Sequence, residues 1–214
     1  MSIITKKGDE GFTTLFDGTK VIKSDEQPRA YGTIDELFSF LGIIKIKLKT
    51  NDKNLHLMEI DEINQIISDK NYEDIKSFFR KTESLFNTYM EISFHNIITF
   101  IQKRLIVLMG ELAVKKENCE KYCKKRISEK DIRLIEIICY TIEKTTEKFN
   151  FFIIPGTNEE ESFLNYARTI TRKAEREVVA IKGRLNEDSK IIPFLNRLSD
   201  LLFLISLVYY ENNC

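Results

Sequence analysis

The sequence predicts an all-α protein, and three observations carry that expectation. Apolar residues recur at spacings of three and four through most of the 214 residues, the period of helices with one buried stripe. Only three prolines and eight glycines interrupt them, too few turn residues for a β-sandwich. Hydrophobic residues make up 43% of the chain, enough to build a core in one large domain spanning 1–214. Lysine plus arginine equals aspartate plus glutamate at 33 each, so no overall field draws in nucleic acid or an anionic membrane. Any anion site must be local. No apolar run approaches the roughly eighteen residues of a membrane span, and MSIITKKGDEG has the character of neither a signal peptide nor a presequence. A cytoplasmic protein is expected, mitochondrial only if a presequence has been removed.

Taken in order, residues 3–19, IITKKGDEGFTTLFDGT, read as a loop. Gly8, Gly11 and Gly18 can turn N–H groups inward, Thr5, Thr13 and Thr14 add hydroxyls, and Lys6 adds a charge, the inventory of a phosphate cradle. The spacing is not that of a Walker A loop, and alone the stretch reads equally as a hairpin of turn residues. A helix follows from Ile34 to about Lys49, with Thr33 as its cap, Glu36 completing a capping box and Asp35 in the first turn. Residues 51–95 form an extended connection. Within it, Leu57 to Ile67 suggest a short helix, and a longer helical pattern from Tyr72 to about Val114 breaks near Ser93. Lys115 to Arg126 is a solvated connector, and Ser128 with Asp131 announces the next helix.

Pro155-Gly156 marks a turn, after which Thr157 or Asn158 caps the helix that matters most. Phe163, Ala167, Ile170, Ala174, Val178 and Ile181 form its buried stripe, while Arg168, Arg172 and Arg176 repeat every four residues on another side with Lys173 and Glu175 beside them. That face can grip a polyphosphate or simply be solvated. The last helix buries Phe194, Leu195, Leu198, Leu202, Ile205 and Tyr209, with Asn196, Ser199 and Asp200 on a polar side. Cys119, Cys123, Cys139 and Cys214 are too sparse for a disulfide framework. His56 and His95 lack acidic or cysteine neighbours at ligand spacing, so no metal site built from side chains is expected. The count is about five substantial helices.

The arm, Tyr31-Gly32-Thr33-Ile34-Asp35-Glu36-Leu37, Phe152-Ile153-Ile154-Pro155-Gly156, Arg172-Lys173-Ala174-Glu175-Arg176 and Asn196-Arg197-Leu198-Ser199-Asp200 occur in one order. That order resembles the PduO-type ATP:cob(I)alamin adenosyltransferases over residues 3–50 and about 96–210. The resemblance implies a five-helix bundle with a nucleotide-binding arm at 1–30, assembled as a homotrimer that holds ATP where subunits meet. It implies transfer of the 5′-deoxyadenosyl group of ATP to cob(I)alamin, of the cob(I)yrinic acid a,c-diamide adenosyltransferase type. The ATP contacts it implies are Thr5, Lys6, Lys7, Gly8, Thr13, Thr14, Lys23, Arg172, Lys173, Glu175, Arg176 and Asn196, with magnesium carried by the phosphates. Arg172, Arg176 and Phe152 take the catalytic roles, Phe152 as the wall that removes the lower axial ligand of cobalamin. Asp35 and Arg168 match an intersubunit salt bridge. A cobalamin reductase and an adenosylcobalamin-dependent enzyme are the implied working partners. Lys173 stands where the family usually has a second arginine, Thr157 replaces the second glycine of Pro-Gly-Gly, and Phe38 replaces a common Asn or Ser. The alternatives are an inactive helical interaction module and a nucleotide-dependent phosphotransferase.

Overall fold

The computed structural model describes residues 4, 6, 8–83, 87–146 and 153–210. Its first long helix, α1 (Glu26–Leu48), starts earlier than expected because Asp25 is its cap, accepting from the Gln27 N–H at 2.8 Å. Pro28 is tolerated because a first-turn N–H has no intrahelical partner to lose. Thr33, the expected cap, is buried inside the helix. Its hydroxyl lies 2.5 Å from Glu177 Oε2 and 3.3 Å from the Arg29 carbonyl.

The expected all-α five-helix bundle is overturned. Among the described residues the chain carries seven α-helices and five strands in two antiparallel sheets. Strands β1 (Phe12–Thr14) and β2 (Lys20–Ile22) make a hairpin in the arm. The 51–95 connection, read as helical, supplies β3 (Asn54–Leu57), the short helix α2 (Ile60–Ile67), β4 (Arg80–Glu83) and β5 (Thr88–Ser93), with strand order β3-β5-β4. The physical reason is visible in burial. Leu55 and Leu57, then Met90 and Ile92, alternate inward with exposed or half-exposed neighbours, the period-two signature of a half-buried sheet. Ser93 does break the pattern, as cap of α3 (Phe94–Leu112), accepting from the Asn96 N–H.

After α4 (Cys119–Tyr122) come α5 (Glu129–Thr145), α6 (Glu159–Ala180) and α7 (Ile191–Tyr209). The Ser128–Asp131 capping box at α5 is present, and Asn158 caps α6 by accepting from the Glu161 N–H at 2.8 Å. Helix α6 packs most extensively against α7 and next against α1. Ala167 and Ala174, both fully buried, bring no bulk between the backbones. Helix α7 is apolar and long enough to cross a membrane by length and composition, contrary to the expectation from sequence. It packs as a core helix, with Phe194, Leu195, Leu198 and Leu202 fully buried.

Hydrogen bonds fix which ends meet. Gln27 Nε2 donates to the carbonyls of Leu112 and Val114 at 2.8 and 3.1 Å, so α1 begins where α3 ends. Arg184 grips Asp25 at 2.7 Å and Glu26 at 3.3 Å, bringing the end of α6 to the same place, and Lys190 meets Glu129 at 2.5 Å where α7 and α5 begin. At the far end Lys47 pairs with Glu159, and Asn158 donates to the Tyr209 carbonyl. The arm is tied to the first end. The Phe16 N–H donates to the Ala113 carbonyl at 2.8 Å, and Asp17 accepts from Lys115 N–H and Asn118 Nδ2 at 2.9 Å each.

Candidate anion-binding site

The arginine helix presents its cations as its buried stripe requires. With Ala167, Ile170, Ala174 and Val178 turned inward, Arg172 and Arg176 are exposed and, among the described residues, neither carries an ion pair. Unpaired guanidinium groups of this kind are available for charge-assisted, bidentate contact with an oxyanion. Lys173 differs. Its ammonium is 2.9 Å from Glu36 Oε2 on α1, and that hydrogen bond raises its pKa. The lysine is therefore spoken for within the chain. Glu175 is half-buried and accepts from Asn196 Nδ2 at 3.3 Å, which joins two expected site residues across α6 and α7.

In the arm, Lys6 adopts φ 56°, a left-handed conformation that costs a non-glycine residue about 1–3 kcal/mol and persists mainly at binding sites. Gly8 and Lys23 are brought together. A Cβ on residue 8 would sit 2.9 Å from Lys23 Nζ, so glycine lets that ammonium approach the backbone. Thr13 and Thr14 are neighbours on β1, pairing with Val21 and Lys20. Successive strand residues point to opposite faces, so the two hydroxyls do not share one. Thr5, Lys7 and Phe152 lie outside the described residues. Within one chain no hydrogen bond or ion pair among the described residues joins the arm to Arg172, Lys173 or Arg176. Asp35 is exposed and does not pair with Arg168, which instead donates to Asn165 Oδ1 at 3.3 Å and lies over the Phe203 ring.

Several supporting residues were not foreseen. Glu161 is fully buried; its Oε2 accepts from the Gly156 and Thr157 N–H groups at 2.8 and 3.4 Å, and its Oε1 from Asn165 Nδ2. It holds the Pro155-Gly156 turn, where Gly156 takes φ 122°, a conformation suited to glycine. The sequence signal for it was Asn158-x-x-Glu161, cap and third helical residue. Glu177 left no such signal, because its partner Thr33 is distant in sequence, and Glu36, expected to complete a capping box with Thr33, meets Lys173 instead. Asp17 titrates far from normal. Burial opposes its ionisation, but hydrogen bonds from Asn118, Lys115 and Thr19 outweigh it and hold the carboxyl well below the usual range.

A helical body with unpaired arginines opposite its core, near the end that carries a lysine- and glycine-containing arm, has the charge and exposure to receive an anion. The sequence model of the cobalamin adenosyltransferase family matches residues 3–209, and the chain belongs to that family. It is 30% identical over 203 residues to a corrinoid adenosyltransferase of Citrobacter freundii, covering 94% of this chain and 90% of the relative. It is also 30% identical to one from Bacillus subtilis, covering 95% and 83%. A variant of a Lactobacillus reuteri PduO-type adenosyltransferase, solved with ATP, superimposes with a TM-score of 0.68 at 26% identity, covering 97% of this chain and 93% of that one. Another variant, solved with cobalamin and ATP, gives 0.70 at 24% identity, covering 97% and 90%, and shows likeness of fold.

Proposed function

We propose that the chain is an ATP:corrinoid adenosyltransferase. The lone pair of cob(I)alamin attacks carbon 5′ of ATP, a cobalt–carbon bond forms, and the carbon–oxygen bond breaks with its electrons leaving on triphosphate. The observation that carries the reading is the exposed, unpaired pair Arg172 and Arg176 on the helix that also carries the family's sequence. Negative charge gathers on the departing triphosphate, and fixed guanidinium groups aimed at it lower the barrier. Cob(I)alamin is itself a strong nucleophile, so no protein base is required.

The finer expectations enter the same proposal. Magnesium is proposed to travel on the phosphates of ATP, where it would share in stabilising the leaving triphosphate. A homotrimer is proposed with it, and what supports more than one copy is a separation within one chain: the arm lies at one end of α6 and the Pro155-Gly156 turn at the other. A helix of 22 residues is roughly 33 Å long, so contacts drawn from both ends of α6 suit two copies better than one. The Asp35 and Arg168 side chains, unpaired with each other, are proposed to meet across that contact. A reductase supplying cob(I)alamin, an enzyme accepting the product, and a cytoplasmic setting complete the proposal.

The test is incubation with ATP, magnesium and chemically reduced cobalamin, following corrinoid absorbance and the phosphate product. Adenosylcobalamin with equimolar triphosphate is expected. Release of ADP or pyrophosphate would make it a phosphotransferase, and no turnover together with no ATP binding would make it an interaction module.

A further inference from the structure

A cavity of about 300 Å³ lies between α3, the 69–72 turn of the 51–95 connection, and the segment leading into α5. That volume is at the small end of ligand pockets. Two of its lining side chains are almost wholly buried, Arg104 at 5% and Asp131 at 1% exposure. Each has an orphaned polar atom, Arg104 Nε and Asp131 Oδ1. They do not satisfy each other, since the nearest approach between the two groups is Arg104 Nη1 to Asp131 Oδ1 at 3.7 Å, beyond hydrogen-bond reach.

The surroundings hold both groups still. Arg104 Nη2 meets Asp74 at 3.3 Å and its guanidinium lies over the Tyr72 ring at 5.1 Å, while Asp131 Oδ2 accepts from the Ser128 N–H at 2.8 Å. A buried donor or acceptor left unmade is destabilising, so the pair calls for an occupant. At the rim, Lys124 and Lys125 are exposed and carry no ion pair among the described residues. An occupant must therefore present an acceptor to Arg104 Nε–H, a donor to Asp131 Oδ1, and negative charge to the two lysines.

We propose that this cavity binds hydrogen phosphate, with one phosphoryl oxygen on Arg104 Nε, its P–O–H donating to Asp131 Oδ1, and its charge met by Lys124 and Lys125. A carboxylate only accepts, so the site rejects sulfate, which has no hydrogen to give at neutral pH. The 51–95 connection gains a task from this, since its Tyr72 forms one wall. The site stands independently of the adenosyltransferase reading.

Phosphate and sulfate are titrated by calorimetry, at matched ionic strength, into the full chain, into Arg172→Ala and into Lys124→Gln/Lys125→Gln. Saturable phosphate binding is expected in the first two, with sulfate at least about tenfold weaker and the double variant at least about tenfold weaker for phosphate. Both lysines are on the surface, so the double variant tests the site without disturbing the core. Phosphate binding that disappears in Arg172→Ala would assign it to the arginine helix and overturn the proposal. Equal binding of sulfate, an unaffected double variant, or no saturable binding would leave water as the occupant and overturn it too.

Discussion

Arg172 illustrates how a single side chain is freed for chemistry. It lies opposite the stripe that buries Ala167, Ala174 and Val178, and among the described residues it has no ion-pair partner whose loss would unsettle the fold. Arg172→Ala is therefore expected to lower turnover by about 2–4 kcal/mol in transition-state stabilisation, roughly 30- to 900-fold, with circular dichroism and Tm unchanged. Turnover near normal would remove the residue from the site. Asp17 is the opposite case, a carboxylate whose value lies in the fold. Because hydrogen bonds hold its pKa below the unfolded value, its contribution is present above about pH 4 and is lost as pH falls through the folded-state value. Asp17→Asn should then be less stable than the parent at pH 7, with the gap narrowing as the pH is taken below about 4. Parallel Tm curves for the two proteins would show that the carboxylate contributes nothing.

At the scale of elements, local signals were legible and long-range ones were not. The Ser128–Asp131 box, the Asn158 cap, the Pro155-Gly156 turn and the Ser93 break are all written within four residues of sequence, and the structure keeps them. The stripe of α6 was legible for the same reason. Thr33 was misread because a threonine followed by Glu36 looks like a cap until Glu177, 144 residues away, claims its hydroxyl. The strands of the 51–95 connection were missed because they are only four to six residues long, too short for periods of two and of three to four to be told apart. The arm offers an element-scale prediction. Gly8→Ala would push the flexible end of Lys23 aside and leave the hairpin paired. The Michaelis constant for ATP should rise severalfold with little change in Tm; an unaltered constant would separate Lys23 from the nucleotide.

At the scale of the molecule, the two ends of α6 set the terms. If the arm of one copy completes a site on the arginine helix of the next, Lys6→Ala and Arg172→Ala damage opposite halves of the same contact. Equal, freely exchanged mixtures in a closed ring should regain about a quarter of normal activity from two inactive parents. Mixtures as inactive as their parents, with exchange verified by native mass spectrometry, would confine each site to one chain. The contrast between the unpaired Arg172 and the fully buried, multiply bonded Glu161 also has a consequence inside a cell. Loss of Arg172 leaves a well-folded polypeptide that quality control has no cause to remove, and it should accumulate to ordinary levels while doing nothing. Loss of Glu161 opens the turn before α6, raises the unfolded fraction and exposes the chain to proteases. An immunoblot of whole cells would therefore distinguish failure of chemistry from failure of upkeep before any enzyme is purified.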